Sequence, residues 1–232
     1  MKKRIKINGI IIVAAVALAV LFPDEFLRSG RMRFAGEFLR ITGFGLILFG
    51  QLLRVSARGH KAELSQNSRA LVCTGPYMAV RNPMYLGILL TGSGVVLVLF
   101  QWWVAVIFLS VFVIRYILLI LEEEKKLLAF FPREYEKYMS GVPRLFPSFS
   151  ILRGEASDYL PLKFPWLKKE MASIAAVILI TLGIEFWQKA KIRSLAAYPE
   201  ELAAVLIVIL VFLYLSAYLN KRTHGFKEEV TI

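Results

Sequence analysis

Long, nearly uncharged apolar runs set apart by short basic stretches constrain this chain more than any other feature. They are Ile7–Phe22, Phe34–Leu53, Met84–Phe100, Trp102–Leu121, Met171–Trp187 and Leu202–Leu219. Most reach the ~17–25 residues that a helix needs to cross a bilayer. Lipid offers the backbone no hydrogen-bond partner, so a spanning segment must satisfy its own N–H and C=O groups, as a helix does. The expectation is an all-α, polytopic membrane protein with about six transmembrane helices. A content of 57% hydrophobic residues over 232 positions agrees with it, because soluble domains stay near about half.

The net charge of +12 would suggest nucleic acid in a soluble protein. Beside apolar spans, basic loops fix orientation and attract anionic lipid heads, so no nucleic-acid partner is expected. With the N-terminus in the cytoplasm, the inner segments hold 21 of the 29 Lys and Arg residues and the outer loops hold six. Both termini are then cytoplasmic. The Ala17-Leu18-Ala19 triplet lies inside the first apolar run and not after it, so that run reads as an uncleaved anchor. Cys73 is the one cysteine, and only His60 and His224 could join it. No internal disulfide and no metal centre are expected.

Spans three and four are joined only by Phe100-Gln101-Trp102-Trp103, which makes them a tight antiparallel hairpin. Its far ends, Arg81-Asn82-Pro83 and Glu122-Glu123-Glu124, are distant in sequence but must be neighbours in space. Asn82 and Pro83 have the residue types of an N-cap and a first helical position. Free N–H groups and the positive dipole end there suit a carboxylate. The three glutamates read as the close of a span, where their sign opposes the helix dipole. Arg115, Arg81 or a bound ammonium or sulfonium are candidates to compensate them. Tyr135 and Tyr138 share one face of a short amphipathic helix, and Gly92-Ser93-Gly94 permits close approach of a helix or a ligand. Arg40, near the outer end of span two, is expected to snorkel to the interface.

Three blocks occur in order: Gly75-Pro76-Tyr77 with Arg81-x-Pro83-x-Tyr85-x-Gly87; Glu123-Glu124-x-x-Leu127 with Phe131, Tyr135 and Tyr138; and Val142-Pro143-Arg144-x-x-Pro147. Together they resemble the isoprenylcysteine carboxyl methyltransferase family, which includes phospholipid methyltransferase-like membrane proteins. The resemblance marks residues 71–147 as a catalytic core, after N-terminal membrane helices in 1–70 and before a linker and two more helices in 148–232. It implies S-adenosylmethionine as cofactor, in a cytoplasmic pocket. Carried over by position, the cofactor contacts are Leu71, Val72, Tyr77, Asn82, Pro83, Met84, Tyr85, Gly92, Gly94, Glu123 and Glu124.

The chain departs from the family pattern at Asn82, where a His is usual. Asn hydrogen-bonds but takes no proton. Pro132 replaces a usual Gly and suits a helix start. Leu119 stands where prenylcysteine enzymes carry an Arg, and Arg115 is the nearest cation. Arg115 and Glu123 are the candidate catalytic residues, and Arg115 with Arg144 the candidate substrate contacts. The expected activity is methyl transfer to a lipid or prenylated substrate, first to a carboxylate such as that of an isoprenylcysteine. A phospholipid amine such as phosphatidylethanolamine is the alternative acceptor. A transporter or scaffold without catalysis is the alternative of another class.

Overall fold

The computed structural model describes residues 21–27, 33–65, 70–147 and 156–192. Its helices are α1 (Pro23–Phe26), α2 (Arg33–Leu64), α3 (Pro76–Ala79), α4 (Pro83–Leu99), α5 (Trp102–Phe130), α6 (Pro132–Gly141), α7 (Ala156–Tyr159) and α8 (Phe164–Ile192). Among the described residues there is no strand, only a single bridge between Leu27 and Phe100, so the all-α expectation holds for them. Proline stands in the first turn of α1, α3, α4 and α6. Its missing N–H costs nothing there, which is why these helices start where they do.

Among the described residues, three helices are long and apolar enough to cross a membrane: α2 from Gly36, α5, and α8 as far as Trp187. The apolar α4 has 17 residues and is shorter. The first and sixth expected spans, 7–22 and 202–219, lie almost wholly or wholly outside the described residues. Helix α5 leaves Val106, Ile107, Ile114 and Leu118 exposed. That is a poor surface for water and a suitable one for lipid. One expectation needs correction: Glu122–Glu124 do not close a helix, because α5 runs on to Phe130. Its dipole end is more than a turn beyond them, so the glutamates face no opposing carbonyls.

Helix α4 packs most extensively on α2, and the contact is made by glycines. Gly43 faces Gly94, and Gly50 faces Gly87, in an antiparallel register. A Cβ added at Gly50 would come 2.7 Å from the Gly87 carbonyl oxygen, and one at Gly43 would come 2.8 Å from that of Gly94. Where lipid is as apolar as the side chains, such backbone-to-backbone contact is a main source of helix association. Ile47 is fully buried between the glycine pairs and joins Leu27, Val98 and Leu99 in one core cluster. A second cluster, Leu53, Val80, Leu86, Leu89 and Phe112, sits towards the start of α4.

The hairpin turn between α4 and α5 is held from upstream. The Gln101 backbone N–H donates to the Phe26 carbonyl at 3.0 Å, and its side-chain amide donates to that of Leu27, also at 3.0 Å. Helix α8 runs antiparallel along α2, tied by Arg40–Glu185 at 3.1 Å, Arg58–Glu170, and Glu63, which accepts from Lys163 and from the Trp166 indole. Arg40 therefore does not simply snorkel. It pairs with a carboxylate from a helix that the sequence left without a role.

The seam yields a prediction. Gly50→Ala should lower stability by about 1–3 kcal/mol, because backbone atoms cannot step aside for the new methyl. Gly45→Ala, with nothing within 4 Å of the added carbon, should be neutral or slightly stabilising through helix propensity. Thermal unfolding midpoints in detergent check both.

Candidate functional site

The two hairpin tips meet. Asn82 occupies the position before α4 and Pro83 begins the helix, but the Asn82 side chain makes no cap. It reaches across instead, donating to the Arg144 carbonyl at 3.1 Å and, more weakly, to Glu124 Oε1 at 3.5 Å. Glu124 is buried on α5 and lies between two guanidinium groups. Arg81 Nε is 3.3 Å from its Oε1, and Arg144 Nη2 is 3.0 Å from its Oε2. The Arg81 contact is an ion pair without hydrogen-bond alignment, since that Nε has no aligned acceptor. The Arg81 backbone N–H donates to the Pro143 carbonyl at 2.8 Å. The three sequence blocks thus converge on one carboxylate.

Glu123 points to a different neighbourhood. The Tyr85 hydroxyl donates to its Oε1 at 2.8 Å. The Tyr85 ring stands edge-on to Tyr116 at 5.3 Å, and Tyr116 stacks on Phe112 at 4.2 Å. Phe112 anchors the second core cluster, so core packing fixes where Tyr85 and Glu123 meet.

A set of tyrosines backs the tips. Tyr135 is fully buried on α6, and the Tyr138 hydroxyl donates to the Tyr77 carbonyl at 2.6 Å. The Tyr77 hydroxyl lies 3.5 Å from the Ala57 carbonyl, which ties α3 to α2. Burial, aided by Glu124, pushes the Tyr135 phenol from 10.0 up to about 12. Burial also raises Tyr77, Tyr138 and the Cys73 thiol. The Tyr135–Tyr138 face expected from sequence is therefore a packing face that seats α6.

The other candidates are spread along the hairpin. Leu71 and Val72 lie half-buried in the segment leading to α3, and Met84 lies half-buried in the first turn of α4. Gly92 is about 13 Å along α4 from Pro83 at ~1.5 Å per residue, and a Cβ there would run into the Phe108 ring. Gly94 belongs to the α2 seam. Both admit neighbouring helices and lie well away from the tips. Arg115 is half-buried on α5, about two turns from the glutamates. Glu122, one of the three glutamates for which Arg115 was a candidate partner, forms a surface bridge to Lys126. The tie from Glu63 to Trp166 and Lys163 was missed. So was Glu185, although a carboxylate inside an apolar run signals a buried partner.

Residues 38–134, from α2 into the first turn of α6, match the family model described as phospholipid methyltransferase. No curated protein and no solved structure matches the chain. The matched stretch takes in the first sequence block and most of the second, and it supports a membrane methyltransferase. The match begins inside α2, which agrees with the close α2–α4 seam: α2 is packed as part of the hairpin's own unit.

Two outcomes follow from this geometry. Glu124→Ala leaves the buried Arg81 guanidinium without its carboxylate and should cost about 3–5 kcal/mol. Arg144→Ala, whose side chain is 45% exposed, leaves Glu124 its Arg81 partner and should cost less than Glu124→Ala. Denaturant unfolding in mixed micelles ranks them. The Tyr135 phenol is held protonated in the fold, so its stabilisation is complete below pH 10.0 and lost as pH rises through about 12. Spectroscopic titration should show a tyrosine fraction that ionises only in that upper range, together with unfolding.

Proposed function

We propose that the protein transfers a methyl group from S-adenosylmethionine to a lipophilic membrane substrate at the joined hairpin tips. The observation that carries this reading is the meeting of the α4 start with the α5 carboxylates, within a stretch that matches a methyltransferase family. The residues present fit the cofactor's chemistry. The first turn of α4 offers the Met84 N–H and a positive dipole end for a carboxylate. Glu123, which accepts from the Tyr85 hydroxyl, offers a carboxylate for a cation.

The cofactor supplies an electrophilic methyl on a sulfonium. When bound, it would pass that methyl to an acceptor oxygen or nitrogen as its carbon–sulfur bond breaks, with S-adenosylhomocysteine as the leaving group. An in-line displacement needs alignment and exclusion of water more than covalent help. Asn82, Pro83, Met84 and Tyr85 hold the α4 side of the site, and Glu123 supplies its charge. Leu71, Val72 and Tyr77 line the approach from α3. Glu124 acts at one remove, by fixing Arg81, Asn82 and Arg144. The Lys and Arg distribution favours the cytoplasm for this end, and the substrate arrives from the bilayer between helices.

A lipid carboxylate, as in an isoprenylcysteine, is one acceptor, and Arg115 is the cation to hold it. The second reading, a phospholipid amine, is favoured by a specific observation. Arg81 and Arg144 both stand on Glu124, so neither tip arginine is at liberty to neutralise an anionic acceptor. An amine must lose a proton before it attacks, and Glu123 is the carboxylate nearest that task.

Calorimetry with S-adenosylmethionine in detergent tests the core of this reading. Glu123→Ala should weaken binding about tenfold, and equal affinity would remove Glu123 from the cofactor site. Transfer of labelled methyl into a total lipid extract, with mass identification of the product, separates carboxylate from amine. Label in no lipid would leave a scaffold or transporter as the better reading.

A further inference from the structure

Arginines in membrane helices mark functional sites unless a carboxylate explains them. Arg40, Arg58, Arg81 and Arg144 each have one. Arg54 differs. It is half-buried on α2, with its stem across Gly87, where an added Cβ would lie 2.6 Å from Arg54 Cγ. That is one turn inside α4 from Pro83. Its Nη1 donates at 3.2 Å to Gln51 Oε1, and among the described residues no carboxylate pairs with it. The guanidinium turns back along α2 towards Gln51, away from the helix end that carries Arg58 and Lys61.

Gln51 is 1% exposed and its side-chain N–H group lacks an acceptor. Thr91, one turn along α4 from Gly87, is 8% exposed, and its hydroxyl likewise lacks a partner. A guanidinium, an amide and a hydroxyl thus gather on one seam with no acidic acceptor of their own. Buried donors rarely stay unsatisfied, because each costs about 1–3 kcal/mol. We propose that Arg54, steadied by Gln51, holds an anionic oxygen group, carboxylate or phosphate, of a molecule bound beside α4 at the level of Gly87. This goes beyond the methyltransferase reading: the anion can belong to a lipid headgroup or to the amino-acid part of the nucleoside cofactor. Arg54 reads from sequence as one more basic loop residue, and only the Gln51 contact sets it apart.

The test uses the full chain in detergent, as wild type, Arg54→Gln, Arg54→Lys and the control Arg58→Gln, with thermal midpoints to confirm folding. Calorimetry compares S-adenosylhomocysteine with methylthioadenosine, which lacks the carboxylate. Native mass spectrometry compares short-chain phosphatidic acid with uncharged diacylglycerol. Arg54→Gln should weaken one anionic probe about tenfold and leave its neutral counterpart unchanged, with Arg54→Lys intermediate and Arg58→Gln like wild type. Loss confined to S-adenosylhomocysteine assigns the anion to the cofactor, and loss confined to phosphatidic acid assigns it to lipid. Four unchanged affinities overturn the proposal. So does a wild type that favours neither anionic probe over its neutral counterpart, a result that stands even if Arg54→Gln fails to fold. Failure of S-adenosylhomocysteine to bind wild type counts against the methyltransferase reading alone, and the phosphatidic acid pair then decides on Arg54.

Discussion

Glu124 is a carboxylate with almost no access to water, and it is tolerated only because two guanidiniums surround it. Removing a charge from water is costly, and the cost is recovered only with close partners in good geometry. Here the partners come from segments distant in sequence: Arg81 before α4 and Arg144 beyond α6. The charge therefore dictates the path of the chain after α5. It brings the 142–147 segment back over the hairpin tips, where Arg81 and Asn82 bond to its carbonyls. The neighbouring Glu123 turns instead to the Tyr85 hydroxyl.

Away from that polar end, the bilayer changes which forces matter. Apolar side chains gain little by leaving lipid, so close packing and polar ties must hold helices together. Helices α2 and α4 answer with glycines and bring their backbones into contact. Helices α2 and α8 answer with ion pairs near both ends, Arg40–Glu185 at one and Glu63–Lys163 at the other. The core around Phe112 then carries order towards the site through Tyr116 and Tyr85.

Much of this was legible in the sequence, for identifiable reasons. The Phe100–Trp103 connection is too short for anything but a hairpin, so the meeting of Asn82 with the glutamates followed from chain connectivity. Pro83 and Pro132 gave helix starts because proline's constraints are local. The end of α5 was misplaced because a charge run imitates the close of a span, whereas helix propensity carried α5 on through Glu, Lys and Leu to Phe130. The roles of Asn82 and Arg40 were hidden for another reason. A side chain's partner across a tertiary contact leaves no trace in local spacing, and a cap and a cross-link use the same residue type.

The paired glycines have a mechanical consequence. Gly43 and Gly50 are seven residues apart, as are Gly87 and Gly94, so the two helices are indexed like notches on facing rulers. A slip of one turn would set each glycine against a bulkier residue and part the backbones. Helix α4 therefore cannot piston along α2, and the depth of Asn82 and Tyr85 relative to the bilayer is set once, when the helices dock. Any admission of a lipid has to come from sideways parting on the α5 side, where the packing consists of side chains.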